Sequence, residues 1–485
     1  MSALDFDVCI IGAGVIGSAA ARELSRYRLR IAVLDKAPDV CFGTSGRNSG
    51  VLHAGFNNKP GSKMARFCVE GNRTFDTIAA ELDVPFSRTG KLVVGYDEDD
   101  RAALEKLIAN GKQNGTPGLR LVDADFIHER CPAVDAPFAM WSPSTAVLNP
   151  FQYTLGLAEN ACTNGVQFFF RHEVMGLHHD GAHWTIDTAR ESFRARWVIN
   201  AAGLYADRVS TMLGIDEYVI HPCRGEYYVL DRSLSPLLPL PVYPVPNYKT
   251  GGLGIHLTPT TGGSIIVGPS TEYIEQRDDY RSTKEIMALL IEDGSRIFPY
   301  LKPQYFLRNY CGIRPKLTAK GVGGYHDFVI ERRDAIAPYA INLVGIESPG
   351  LTSAMPIAHE IIRLMSEVER FEENPDFNPI RRRPESFRDK TPDRQRELVA
   401  QDSDYGRVIC RCETITLAEI KAALNSPLHP DTVAGIKNRC RPTMGRCQGG
   451  YCLPRLVKMI AEATGRAENE ILLTEDGSEI LTERR

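Results

Sequence analysis

The sequence predicts a chain of mixed α/β and α+β class in three parts: a Rossmann-like domain, an antiparallel-sheet domain laid over it, and a small C-terminal domain with its own cysteines. Three observations point there. The opening stretch FDVCIIGAGVIGSAAARELSR runs from a β-branched apolar segment through a glycine-rich turn into a helical pattern. From about residue 220 to 345 the pattern changes to short strands of period two. Five of the twelve cysteines then fall between residues 410 and 452.

Phe6 to Ile11 has the composition of a buried parallel strand, and Val15 to Leu24 the spacing of a helix. Gly12, Gly14 and Gly17 therefore form a G-x-G-x-x-G turn in its proper context. The first glycine permits the turn, the second lets a pyrophosphate approach the backbone, and the third lets helix pack on strand. A second apolar run, Ile31 to Leu34, ends at Asp35, eighteen residues past Gly17, with Lys36 beside it. A carboxylate there accepts hydrogen bonds from a ribose and repels a 2′-phosphate, which favours FAD or NAD over NADP.

Residues 41 to 62 are too rich in Gly, Ser and Asn for a regular element and too long for a connector. Thr44, Ser45, Arg47, Asn48 and Ser49 supply donors beside the expected pyrophosphate, and His53 follows. A helix is expected over 63–80, a strand over 90–96, strand, cap and helix start over 117–132, a helix over 153–160 and a strand over 165–170. WVINAAGLYAD, residues 197–207, repeats the opening logic: a buried strand, small residues with Gly203, then a helix.

Strands follow at 224–231, 251–259 and 262–270, with a helix over 283–297. A sheet of this kind over a dinucleotide fold leaves a cleft for substrate. Arg314 in YCGIRPKL suits bidentate capture of a carboxylate or phosphate, and His256 in GIHLTP can accept a proton or simply sit in a core. GIESPGLTSAMPIAHEI, residues 345–361, reads as a loop and a helix start capped by Thr352 or Ser353, with Gly350 and Leu351 in the turn.

The 485 residues suggest two to four domains, and 43% hydrophobic residues suffice for large cores. A net charge of −4 with mixed signs gives no general affinity for nucleic acid. No run of eighteen apolar residues exists, and the first apolar stretch is the cofactor strand itself rather than a leader. The expectation is a cytoplasmic protein with at most peripheral contact at the inner face of the membrane. Residues 371–405, rich in charge and proline, read as a linker. Cys410 and Cys412 form C-x-C, Cys447 and Cys452 form C-x-x-x-x-C, and Cys440 is spare. Four thiolates so close in a reducing compartment call for a metal, either zinc or iron–sulfur.

Two resemblances narrow these choices. The glycine turn, Asp35 and GTSGRNSGVLHAG resemble the D-amino-acid-oxidase-like FAD oxidoreductases, in particular the glycerol-3-phosphate and L-2-hydroxyglutarate dehydrogenase branches, over residues 5–365. MGRCQGGYC resembles the bacterioferritin-associated-ferredoxin-like [2Fe-2S] domain of anaerobic glycerol-3-phosphate dehydrogenase A subunits. The first resemblance implies FAD, with Gly203 under it and the Gly350–Thr352 helix start facing its pyrimidine. The second implies a [2Fe-2S] cluster on Cys410, Cys412, Cys447 and Cys452. Together they imply an oxidoreductase region over 1–370, its FAD-binding parts at 1–95, 150–215 and 330–370 and its substrate sheet at 90–150 and 216–330. A linker over 371–405, a cluster domain over 406–465 and a tail over 466–485 complete the chain. The expected reaction is oxidation of the secondary alcohol of sn-glycerol 3-phosphate or, as alternative, L-2-hydroxyglutarate. Arg314 would hold the anion, and His256, or else His53, would take the hydroxyl proton. Electrons would leave to a partner subunit or a quinone within a hetero- or homo-oligomer. The remaining alternatives are an electron-transfer subunit and an amino-acid or amine dehydrogenase subunit.

Overall fold

The computed structural model describes residues 4–246 and 253–481. Its first sheet has eight strands centred on Leu4–Ile11, which pairs in parallel with Ser192–Asn200 on one side and Ile31–Asp35 on the other. Gln167–Phe170 extends it beyond Ile31–Asp35, and Ala337–Val344 beyond Ser192–Asn200, both in parallel. Helices Val15–Leu24, Pro150–Thr163, Lys63–Leu82 and Gly350–Ser366 pack together on this sheet. The central strands are buried on both faces, as their continuous apolar runs require.

The second sheet has nine strands and is mostly antiparallel, with His221–Leu230 and Phe306–Lys316 forming its longest pair. One pairing departs from the expectation: Lys91–Gly95 lies parallel to Val242–Pro244. A parallel neighbour needs a crossover connection, and here most of the first domain's later strands supply it. The strand expected from Gly251 begins at His256; Gly251 and Gly252 lie outside the described residues. Helix Glu98–Asn114, which the sequence reading left without an element, buries only Leu104, Leu107 and Gly111, too few to mark an apolar face. Asp123 is the cap of Ala124–Arg130, accepting from Phe126 N at 3.0 Å.

The segment read as a linker is not a loose one. It carries helix Pro392–Gln401, and its Arg381 is buried, donating from Nε and Nη2 to Glu159 Oε2 at 2.9 and 2.7 Å. Helix Val433–Cys440 of the C-terminal unit joins the same network. Arg439 donates from Nη2 to Asp39 Oδ1 at 3.1 Å, its Nε lies 3.7 Å from Glu159 Oε1, and Gln152 Nε2 donates to the Arg439 carbonyl at 2.7 Å. Ser426 Oγ also donates to Glu159, at 2.7 Å. Burial alone would push the Glu159 carboxyl up; the Arg381 and Arg439 guanidiniums outweigh it and hold the group below its usual range. Its share of stability is therefore present at neutral pH and lost on acidification through the carboxylate range. Glu159→Ala leaves two guanidiniums without their shared anion and is expected to cost roughly 3 to 5 kcal/mol. Urea unfolding followed by tryptophan fluorescence measures it.

Candidate active site and cluster site

A cavity of about 530 Å³ opens where the parallel strands end at Gly12 and reaches across to the second sheet at Arg314. Backbone contacts set its floor. Gly12 has φ +109°, and a Cβ there would lie 2.4 Å from Ala201 O; a Cβ on Gly17 would lie 1.9 Å from Gly12 O. Helix Val15–Leu24 has Gly14 as N-cap with no side-chain cap bond, and Ser45 Oγ accepts from Val15 N at 2.9 Å. Asp35 sits at the end of its strand, accepting from Ala13 N at 2.6 Å and Ala37 N at 2.8 Å; burial pushes its carboxyl up despite both donors.

Gly12, Gly14, Asp35, Lys36, Thr44, Ser45, Arg47, Asn48, Ser49, Gly203, Gly350 and Leu351 all line this one cavity. Several of the polar ones also build the loop. Thr44 Oγ1 donates to Ile313 O at 2.7 Å, Asn48 Nδ2 donates to Ser45 O at 2.7 Å, and the Arg47 guanidinium lies 4.1 Å from the Tyr280 ring centre. Lys36 Nζ rests 3.6 Å over Tyr205. Gly17 and Thr352 stand behind the lining. The helix that was expected to be capped by Thr352 or Ser353 starts at Gly350 with Pro349 before it, and Thr352 Oγ1 instead accepts from the His53 backbone N–H at 2.9 Å.

On the far wall His256 is buried, its ring stacked 3.7 Å from Tyr243 at 14°. Nδ1 lies 2.9 Å from Gly254 O, which can only accept, so Nδ1 carries the proton and Nε2 holds the bare lone pair. That Nε2 is buried with no hydrogen-bond partner. Burial, then the charges of Lys91 and Arg314, bring the ring down to about 3 although the bond to Gly254 opposes them. His53, with Nε2 3.4 Å from Ser348 Oγ, is likewise brought to about 3, by burial and then by Lys91 and His256. Arg314 Nε donates to Cys223 O at 3.3 Å, and Nη2 to Ser270 O at 2.8 Å and Arg224 O at 3.3 Å. Nη1 takes part in none of these bonds, so much of the fork read as bidentate is spent on backbone carbonyls. Beside it, Lys316 Nζ pairs with Glu347 at 2.8 Å in full burial.

Three residues on this wall escaped the sequence reading: Tyr243, Glu347 and Lys91. Lys91 is 1% exposed, with Nζ 4.1 Å from the Tyr243 ring centre and 4.5 Å from that of Phe56. The available signal was a charged residue inside the apolar run KLVVG.

In the C-terminal unit the four thiols stand as two pairs, Cys410 beside Cys452 and Cys412 beside Cys447, close enough to influence one another's ionisation. Within the first pair the Cys410 thiol is drawn down and the Cys452 thiol pushed up. Among the described residues no three such donors already converge at metal-binding spacing. Cys440 Sγ donates to Ile436 O within its own helix, and its thiol is raised by burial.

The FAD dependent oxidoreductase (DAO) pattern matches residues 7–364, about three quarters of the chain. The chain belongs to that family. The BFD-like [2Fe-2S] binding domain matches residues 408–462. A glycerol 3-phosphate dehydrogenase of Caloramator mitchellensis is 36% identical over 481 residues, 98% of each chain. The human mitochondrial L-2-hydroxyglutarate dehydrogenase is 32% identical over 344 residues, 66% of this chain and 74% of that one. Among solved structures, the dithionite-reduced L-α-glycerophosphate oxidase of Mycoplasma pneumoniae with FAD bound superposes with TM-score 0.73 at 27% identity, over 79% of this chain and all of that one. The glycine oxidase of Geobacillus kaustophilus shares the fold with TM-score 0.67 at 20% identity.

This FAD oxidoreductase has the cavity its cofactor needs: a helix start whose N-cap, Gly14, offers no side chain faces a turn whose glycines leave no room for a Cβ. The thiol set equally suits an iron–sulfur cluster, whose usual ligands are cysteine thiolates. The Cys447→Ser, Cys452→Ser double variant is expected to lose its iron and the broad visible shoulder of the cluster while keeping the flavin bands. Iron analysis and absorbance after anaerobic purification decide it.

Proposed function

We propose that this FAD-dependent oxidoreductase is a dehydrogenase that oxidises sn-glycerol 3-phosphate to dihydroxyacetone phosphate. The observation that carries the reading is the meeting, in one buried cavity, of a histidine with a bare Nε2 and the Arg314 guanidinium. A secondary alcohol bearing an anion needs that combination. The relative from Caloramator mitchellensis, alike over nearly the whole of both chains, supports the substrate choice.

In this reading Arg314 binds the phosphate. His256 Nε2 takes the hydroxyl proton, because its tautomer leaves only that nitrogen able to accept. His53 stands second, its backbone pinned by Thr352. Gly12, Gly14, Asp35, Lys36, the Thr44–Ser49 loop, Gly203, Gly350 and Leu351 hold the dinucleotide; Gly17 lets the helix close on the turn. Cys410, Cys412, Cys447 and Cys452 hold the cluster. When bound, FAD supplies a two-electron acceptor and [2Fe-2S] a one-electron exit, a combination that suits onward transfer to a partner subunit or quinone better than direct reaction with oxygen. Among the described residues no helix is long and apolar enough to cross a membrane.

Anaerobic mixing of the holoenzyme with each candidate substrate tests the reading. Glycerol 3-phosphate is expected to bleach the flavin band at lower concentration and faster than L-2-hydroxyglutarate. Preferential bleaching by L-2-hydroxyglutarate would overturn the substrate, and bleaching by neither would overturn the reaction. Arg314→Lys is expected to weaken transition-state binding by about 1.5 to 3 kcal/mol, read mainly as a raised KM, with FAD retained. Steady-state kinetics with a dye acceptor measures it.

A further inference from the structure

Lys91 is the least expected residue in the second sheet. Every residue of its strand, Lys91–Gly95, is buried, and an apolar side chain would fill the position with no charge to desolvate. Among the described residues it forms no ion pair with a carboxylate. Its ammonium instead faces two rings, Phe56 and Tyr243. Tyr243 carries the His256 ring on its stack, 3.7 Å away, so ammonium, phenol and imidazole follow one another through the wall of the cavity. Glu347, an acid that lines the cavity, is spent on Lys316.

We infer that Lys91 is a positioning residue whose buried ammonium, beside the Tyr243–His256 stack, opposes protonation of His256 on top of the larger effect of burial. The groups that face His256 are the Gly254 carbonyl, Tyr243, Lys91 and Arg314; those that bear on His53 are Lys91 and His256. None is a carboxylate that would draw a proton onto either ring. Burial is the larger influence on both histidines, and Lys91 is the leading charge. Burial brings Lys91 itself down to about 7, so its charge is complete in the acid range where the histidines would protonate. The sign follows: an ammonium beside an imidazole disfavours the imidazolium, and removing it moves the histidine midpoint upward. The bearing of this on catalysis rests on His256 being the base proposed above; the protonation itself does not.

The test is Lys91→Met, which keeps the stem between the rings and removes the charge, with Lys91→Gln as the second variant should methionine not fold. In the FAD-loaded holoenzyme labelled at histidine, NMR titration reads the His256 signal, assigned by its loss in His256→Asn. Its midpoint is expected to rise by roughly half to one pH unit relative to the parent, with His53 moving the same way. The acid limb of kcat/KM for glycerol 3-phosphate is expected to move up by the same amount while the plateau above pH 7.5 or so stays, and Lys91→Arg, which restores a cation, is expected to return both toward the parent. An unchanged His256 midpoint in a folded, FAD-loaded Lys91→Met protein would overturn the inference. A midpoint that rises while the acid limb stays would support it and overturn instead the assignment of His256 as base.

Discussion

Arg439 sits between two carboxylates that belong to the flavin domain, Asp39 just ahead of the cavity loop and Glu159 on the helix behind it. All three are buried or nearly so, and buried charges persist only when their partners stay in place. The helix that carries Arg439 also carries Cys440, and its unit holds the paired thiols. The consequence is positional. The cysteine-bearing unit cannot swing on its connecting segment without stranding Asp39 and Glu159, and Arg381 of that segment is itself held by Glu159. The placement of the thiol-bearing unit against the cavity domain is therefore fixed by a charge network instead of by a tether.

Around the two histidines the arrangement differs: Lys91 and Arg314 bear on His256 and Lys91 on His53, with no carboxylate among these groups. Arg314 and Lys91 charge the wall, Glu347 is neutralised by Lys316, and the histidines stay neutral among them. Such surroundings disfavour the imidazolium, while the wider cavity carries acids as well as bases, Asp35, Glu173, Asp278 and Glu475 among them.

Much of this was legible in particular residues. Gly12 and Gly17 announced the first turn because their spacing encodes backbone contacts, and the structure shows the contacts in which a Cβ has no room. The Cys410–Cys412 and Cys447–Cys452 spacings pointed to a metal domain, which the BFD-like [2Fe-2S] match identifies. What stayed hidden depends on partners far away in the chain. Arg381 looked like part of a charged linker because Glu159, 222 positions earlier, gives no local sign of waiting for it. Thr352 read as a helix cap, but its hydroxyl is taken by His53, 299 positions away. Lys91 could not be distinguished from an edge lysine until the sheet closed over it, and Arg314 kept its planar fork only in part because the carbonyls of Cys223, Arg224 and Ser270 claim it.

The central claim is that the substrate cavity and the C-terminal thiols belong to one electron path within a single chain. The most direct test is to freeze the holoenzyme at intervals after anaerobic mixing with glycerol 3-phosphate, with no acceptor added, and to record electron paramagnetic resonance alongside flavin absorbance. The account predicts that the signal of a reduced [2Fe-2S] cluster grows in step with flavin bleaching. A flavin fully bleached by substrate beside a cluster that remains oxidised, although dithionite reduces it, would contradict the account.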